Sequence, residues 1–135
     1  MNKFEKFVKD LTDKTLIGDI HWQAADTAVE VEVPNAKNVH DKYFCRDFKD
    51  GFRVIFYTIK MPSYSEMFNV DYESLEPGVI VQKSVGLGFT KVSEVNTIQV
   101  DKSDFWQLHR VINEMNLEAK EIFDAYETEE EDDPS

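Results

Sequence analysis

The chain has 135 residues, 41% of them hydrophobic and 13% aromatic, with 27 acidic against 15 basic side chains and a net charge of −12. Such a length and apolar content fit one domain with a genuine core and leave no need for a second. The acidity argues against direct nucleic-acid binding, which needs clustered Lys and Arg, and against anionic membrane surfaces, so a protein with a basic surface is the partner class left open.

Phe4, Phe7, Val8 and Leu11 fall at helical spacing, with Lys3, Glu5, Lys6, Lys9 and Asp10 opposite them, which predicts an amphipathic helix over Asn2 to Thr15. Gly18 lies where a left-handed residue stops a helix, and Ile20 and Trp22 alternate with polar neighbours in a first strand from Asp19 to Gln23. Val29, Val31 and Val33 alternate with Ala28, Glu30 and Glu32 in a half-wet second strand, ended by Pro34 and Asn35.

The densest run of β-branched and aromatic residues is Phe52 to Lys60, apolar on one face at Phe52, Val54 and Phe56 and on the other at Ile55, Tyr57 and Ile59. A strand apolar on both faces belongs inside a sheet and is covered on both sides. It forms a hairpin with Tyr43 to Phe48 through a three-residue loop, Lys49, Asp50 and Gly51, with Gly51 left-handed. The expected register sets Phe48 against Phe52, Phe44 against Phe56 and Asp47 against Arg53, while a two-residue turn would set Phe48 against Arg53.

Beyond Lys60 the chain loosens through Met61 to Ser65, and Phe68, Val70 and Tyr72 suggest a short strand. Glu76, Pro77 and Gly78 read as a type II turn before a strand at Val79 to Lys83, which Gly86 to Gly88 breaks. Phe89 to Val100 fits neither period cleanly, and a last strand is expected at Thr97 to Val100. Asp101 or Ser103 then caps a long amphipathic helix carrying Phe105, Leu108, Ile112, Met115, Ala119, Ile122 and Tyr126, with a break at Asn116 as the alternative. Residues 101–135 hold 12 acids against 3 bases, and Glu127 to Asp133 has six acids in seven residues. The expected organisation is one domain over 1–126 and a disordered acidic tail over 127–135.

Following the N-terminal helix, Lys14-Thr15-Leu16-Ile17-Gly18-Asp19-Ile20-His21-Trp22 resembles a Lys-Thr-x-x-Gly-x-x-x-Trp opening of small uncharacterised proteins from Gram-positive bacteria and their phages. The resemblance implies a β-meander closed by a helix and supplies no activity, cofactor or site residue.

Chemistry-bearing patterns are absent. Lys3, Lys6, Lys9 and Asp10 interrupt any apolar leader, and no run approaches the ~20 apolar residues of a membrane span, so the expected location is cytoplasmic. One cysteine, Cys45, excludes an internal disulfide or a multi-thiolate metal site within a chain and reads as a core residue. His40 and Asp41 near Cys45 invite a nucleophile, but neighbours on an extended strand point to opposite faces. His21, His40 and His109 form no metal-ligand pattern, and Gly86-x-Gly88 lacks the third glycine and following helix of a dinucleotide loop. Catalytic, metal and cofactor residues are therefore expected to be none.

The fold class expected is α+β, an antiparallel meander of four to six strands flanked by N- and C-terminal helices. A secretion-chaperone-like dimer of order α-β-β-β-α-β-β-α is the alternative. A homodimer is also suggested by Ile55, Tyr57 and Ile59, which helices on one side would leave uncovered. The first functional expectation is a non-enzymatic accessory protein, of phage or mobile-element kind, that binds a protein partner. A second is a nucleic-acid mimic that inhibits a nuclease or defence complex through Asp104, Glu114, Glu118, Glu121 and Asp124. A third is a small ligand-binding domain or enzyme with a helix–sheet pocket at Trp22, Tyr57, His21 and His109.

Overall fold

The structure is a computed structural model and describes residues 1–25, 39–115 and 125–126. Helix α1 spans Lys3–Leu16. Its first turn is closed reciprocally: the Asn2 side chain accepts from the Glu5 amide at 2.8 Å and donates to the Glu5 carboxylate at 2.8 Å. The helix ends in a Schellman turn, with the Gly18 amide donating to the Thr15 carbonyl at 3.2 Å and the Asp19 amide to the Lys14 carbonyl at 2.9 Å. That turn requires a left-handed residue, and Gly18 supplies φ +83°.

Five strands follow: β1 Trp22–Ala24, β2 Val39–Cys45, β3 Phe52–Ser65, β4 Val70–Val85 and β5 Gly88–Val95. All neighbours are antiparallel and the spatial order is the chain order, β1-β2-β3-β4-β5. Helix α2, Lys102–Glu114, starts at Asp101, whose carboxylate accepts from the Ser103 amide at 3.1 Å. The fold is thus α+β, with terminal helices on a sheet whose middle strand is the expected one.

Both helices pack on one face. Val8 and Leu11 of α1 and Phe105, Leu108 and Ile112 of α2 meet Cys45, Val54, Phe56, Val79 and Val95 in one core cluster. The other face of β3 presents Ile55, Tyr57 and Ile59, which cluster with Phe44 and Ile80. These are buried within the single chain, Ile55 fully, so that face does not call for a second copy to cover it.

Several local expectations are corrected. The first strand begins at Trp22 rather than Asp19, with Ile20 buried ahead of it. The β2–β3 register is slipped by one: Tyr43 faces Phe56, Phe44 faces Ile55 and Cys45 faces Val54. The tight turn at Lys49 to Phe52 forms, with Gly51 at φ +80°, but the strands separate before it. Phe48 leaves the ladder to meet the Phe7 ring edge-on at 5.7 Å, and Asp47 bonds to His21 instead of facing Arg53. Packing against α1 outweighs the shorter loop.

Met61 to Ser65 does not loosen; β3 continues to Ser65 and pairs with β4 throughout. Glu76, Pro77 and Gly78 are no turn but the middle of β4, opposite Ile59, Thr58 and Tyr57. Proline is tolerated because β5 pairs with β4 only from Val79 onward, leaving one edge at Pro77 without a β5 neighbour. Glycine is required because a Cβ at Gly78 would overlap the Tyr57 ring.

The last strand is β5, not Thr97 to Val100. Asn96 folds that stretch into a turn, its side chain accepting from the Ile98 amide at 2.9 Å and its carbonyl from the Gln99 amide at 3.1 Å. β3 runs directly into β4 through 66–69, where the secretion-chaperone-like order would place a helix. The second strand expected at Ala28 to Val33, Pro34 and Asn35, the break at Asn116, Ala119 and Ile122, and the acidic tail lie outside the described residues.

Candidate functional site

Among the described residues, the structure places the chemistry-bearing candidates on different faces and elements. Trp22 is buried in the helix-side core, its indole donating to the Thr15 hydroxyl at 2.8 Å. Tyr57 lies on the opposite face of the sheet and donates to Glu94 at 3.1 Å. Burial, with the Glu94 charge and hydrogen bond added, pushes that phenol well above its ordinary value. His21 is exposed and bonds through Nδ1 to Asp47 at 2.8 Å. His109 sits on α2 with Nε2 3.6 Å from Asp41, beside the rings of Tyr43, Phe56 and Trp106. The four residues expected to share a pocket are therefore dispersed. A shallow depression of about 400 Å³ on α2 is lined by Ser103, Trp106, Gln107 and Arg110 and includes none of them.

The nucleophile reading loses its thiolate. Cys45 is fully buried, and burial together with the Asp47 contact pushes its thiol up to about 12. Asp47 is itself pushed upward by burial, but its bonds from the His21 amide, the His21 ring and Cys45 outweigh that and bring its carboxyl below the usual value. His40 and Asp41 do share a side: a register shift between Val39 and Asp41 leaves His40 Nε2 3.8 Å from the Asp41 carboxylate. Even so, no group of His, Cys, Asp and Glu among the described residues could hold a metal ion.

Of the acidic set, Asp104 lies in the first turn of α2 and Glu114 at its far end, 3.9 Å from Arg110. Glu118, Glu121 and Asp124 lie outside the described residues. No helix among the described residues is long and apolar enough to cross a membrane.

What the structure does build is an arm. β2 accompanies β3 only as far as Ile59 and β5 accompanies β4 only from Val79, so Lys60–Ser65 and Val70–Leu75 form a two-stranded ribbon with no further strand beside it among the described residues. Its end is closed by Asn69 at φ +52°, by a Tyr64 to Asn69 hydrogen bond and by a Ser63 to Ser74 hydroxyl pair at 3.0 Å. Tyr64, Met67, Phe68, Val70 and Tyr72 are all exposed there, Met67 at 85% and Phe68 at 72%. The register places Tyr64 on one face of the ribbon, beside Asp71, and Val70 and Tyr72 on the other, so large apolar side chains are exposed on both of its faces. Residues 61–76 carry four acids, Glu66, Asp71, Glu73 and Glu76, and no base.

Pro62 lies within the arm and Pro77 just below it, and proline on an edge opposes the addition of a further strand. The sequence expectations caught one part, a strand around Val70 and Tyr72, and missed the continuity of β3 and β4 because Pro62, Pro77 and Gly78 look like turn punctuation. The arm's signal is the period-2 run Phe68, Val70 and Tyr72 inside an acid-only block.

The far end of β4 is different in kind. Val85 faces Gly88 across a turn at Gly86 and Leu87, and Val85, Leu87, Phe89 and Val92 are exposed. Residues 77–93 hold Lys83 and Lys91 and no acid. Beside them Arg53 is buried, its guanidinium 4.5 Å from the centre of the Phe44 ring and 4.0 Å from that of Phe89, with Nε donating to Gln82 at 2.8 Å. Among the described residues it has no carboxylate partner. Comparison with protein-family models, curated proteins and solved structures finds no match.

Proposed function

We propose that the protein is a non-enzymatic accessory protein that works by binding another protein chain, and that the β3–β4 arm is its binding element. The observation that carries this is the exposure of Tyr64, Met67, Phe68, Val70 and Tyr72 at the end of a ribbon that the rest of the described fold leaves bare. An isolated two-stranded hairpin is marginal in water, so a partner that covers the arm stabilises it while gaining the apolar area. Burying Phe68 alone would contribute on the order of 1.5–3 kcal/mol to such a contact. The acids among these side chains favour a partner whose surface is apolar and basic together.

A photo-crosslinking amino acid at Phe68, introduced in living cells, tests this. The expected outcome is a discrete protein adduct at Phe68 and none from the same group at Lys9 on the outer face of α1. Absence of any protein adduct at Phe68 while Lys9 behaves identically overturns the proposal.

A further inference from the structure

Resting on that binding role for the arm, we propose that the surface the arm fits is the β4–β5 hairpin end of a second copy, so that the protein assembles head to tail. The two patches are complementary in both respects that govern docking. The arm offers Tyr64, Met67 and Phe68 beside Glu66, Asp71 and Glu73, with Lys60 at its base and Glu76 already bound to Lys102 at 2.7 Å, and the hairpin end offers Val85, Leu87 and Phe89 beside Lys83, with Lys91 bound to Glu94 at 3.4 Å. Behind them Arg53 adds a buried cation that, among the described residues, is held by the Phe44 and Phe89 rings and the neutral Gln82 side chain with no carboxylate, which leaves its positive field to favour an acidic partner.

Geometry then decides between a contact within the chain and one between chains. Both patches lie on β4, at its first and last residues, and its 16 residues at ~3.3 Å each hold them about 50 Å apart. One strand cannot bring its own ends together, so each patch needs another molecule. A pairing of two arms would set Glu66, Asp71 and Glu73 against their like, and a pairing of two hairpin ends would set Lys83 against Lys83, which disfavours a two-fold contact. The remaining contact is heterologous, and a heterologous contact propagates into a ring or an open chain rather than stopping at two.

Two variants separate the possibilities, each first shown by circular dichroism and thermal melting to keep the native fold. Met67→Ser with Phe68→Ser disables the arm, and Lys83→Glu with Leu87→Ser disables the hairpin end. In sedimentation velocity at 50 mM salt, the wild-type chain is expected to grow beyond its 15.7 kDa monomer as concentration rises to about 0.5 mM, and to weaken roughly tenfold in 0.5 M salt. Each variant alone stays monomeric. Mixed one to one, they form a dimer and nothing larger, because one intact arm meets one intact hairpin end.

A wild-type chain that stays monomeric throughout overturns the assembly. So does a variant that still associates alone, which marks a two-fold contact, or a mixture that stays monomeric. Failure here leaves the arm's wider role separately decidable: a Phe68 adduct in cells to a different protein retains that role without self-assembly, and no protein adduct removes both.

Discussion

Strand β3 is one continuous strand with two environments. From Arg53 to Ile59 every residue is buried, and from Lys60 to Ser65 none is. The difference does not lie in the backbone, which pairs with β4 without interruption from Phe52 to Ser65. It lies in what stands beside it: β2 reaches only to Ile59, β5 pairs with β4 only from Val79 onward, and both helices pack over the first half. A ladder of backbone hydrogen bonds extends a strand, but burial comes from neighbours on its faces and edges. Within the bare half Met61 still packs against the Ile55, Tyr57 and Ile59 cluster, whereas Tyr64, Met67 and Phe68 beyond it are exposed.

Substitutions on the two halves should diverge sharply. Phe56→Ala removes a fully buried ring from the core between sheet and helices and is expected to cost about 3–5 kcal/mol in urea unfolding, a large fraction of the ~5–15 kcal/mol typical of a domain. A loss below about 1 kcal/mol would erase the contrast. At the boundary between the halves, Gly78→Ala forces a methyl into the Tyr57 ring, with an expected loss of about 1–3 kcal/mol by the same measurement. An unchanged midpoint would mean that Tyr57 moves aside freely.

The buried half also has a titration signature. The Cys45 thiol has an ordinary value of 9.0 and is held near 12 when folded, so the unfolded chain releases its proton first. Its contribution is full below pH ~9 and is lost as the pH climbs from 9 toward 12. Tyr43 and Tyr57 are shifted in the same direction by burial, so the comparison must be with Cys45→Ala, whose urea midpoint should fall less steeply between pH 8 and 10.5. Equal slopes would place the thiol outside the buried half. The smallest effect belongs to the arm: Met67→Ser with Phe68→Ser should leave unfolding within about 0.5 kcal/mol of wild type, since both side chains are already in water. A larger loss would show the tip packed against the body.

The contrast also explains what could be read from the residues alone. Phe52 to Lys60 announces itself because it is apolar on both faces, and its central position, both terminal helices and the meander follow from periodicity and from Gly18, Gly51 and Asp101. The arm was not legible in the same way. Pro62, Pro77 and Gly78 usually punctuate, and they are compatible with a strand only where an edge lacks a neighbour or a ring presses on the backbone. Both conditions are tertiary. The register of β2 failed for a related reason: Phe48 had two places to pack, and the one on α1 exists only once the helix is docked. In β5, Ser93 faces Val81 and Lys91 faces Gln82, so Val92 is an extra residue and breaks the alternation that would have revealed the strand.

The joining of the first helix to the last has a consequence for how the chain is made. The Asn2 side chain donates to the Gln99 carbonyl at 3.0 Å, and Val8 and Leu11 share a core with Phe105, Leu108 and Ile112. During synthesis each strand can pair with its predecessor as it emerges, since the sheet is sequential, but α1 waits for the other end of the chain. Until α2 leaves the ribosome, the nascent protein carries an apolar helix face and an open sheet face together, the state in which chaperones bind and aggregation starts. Closure of the helical layer is then a late event with a long loop to draw in, and translation stopped short of α2 yields a protein with no way to finish its core.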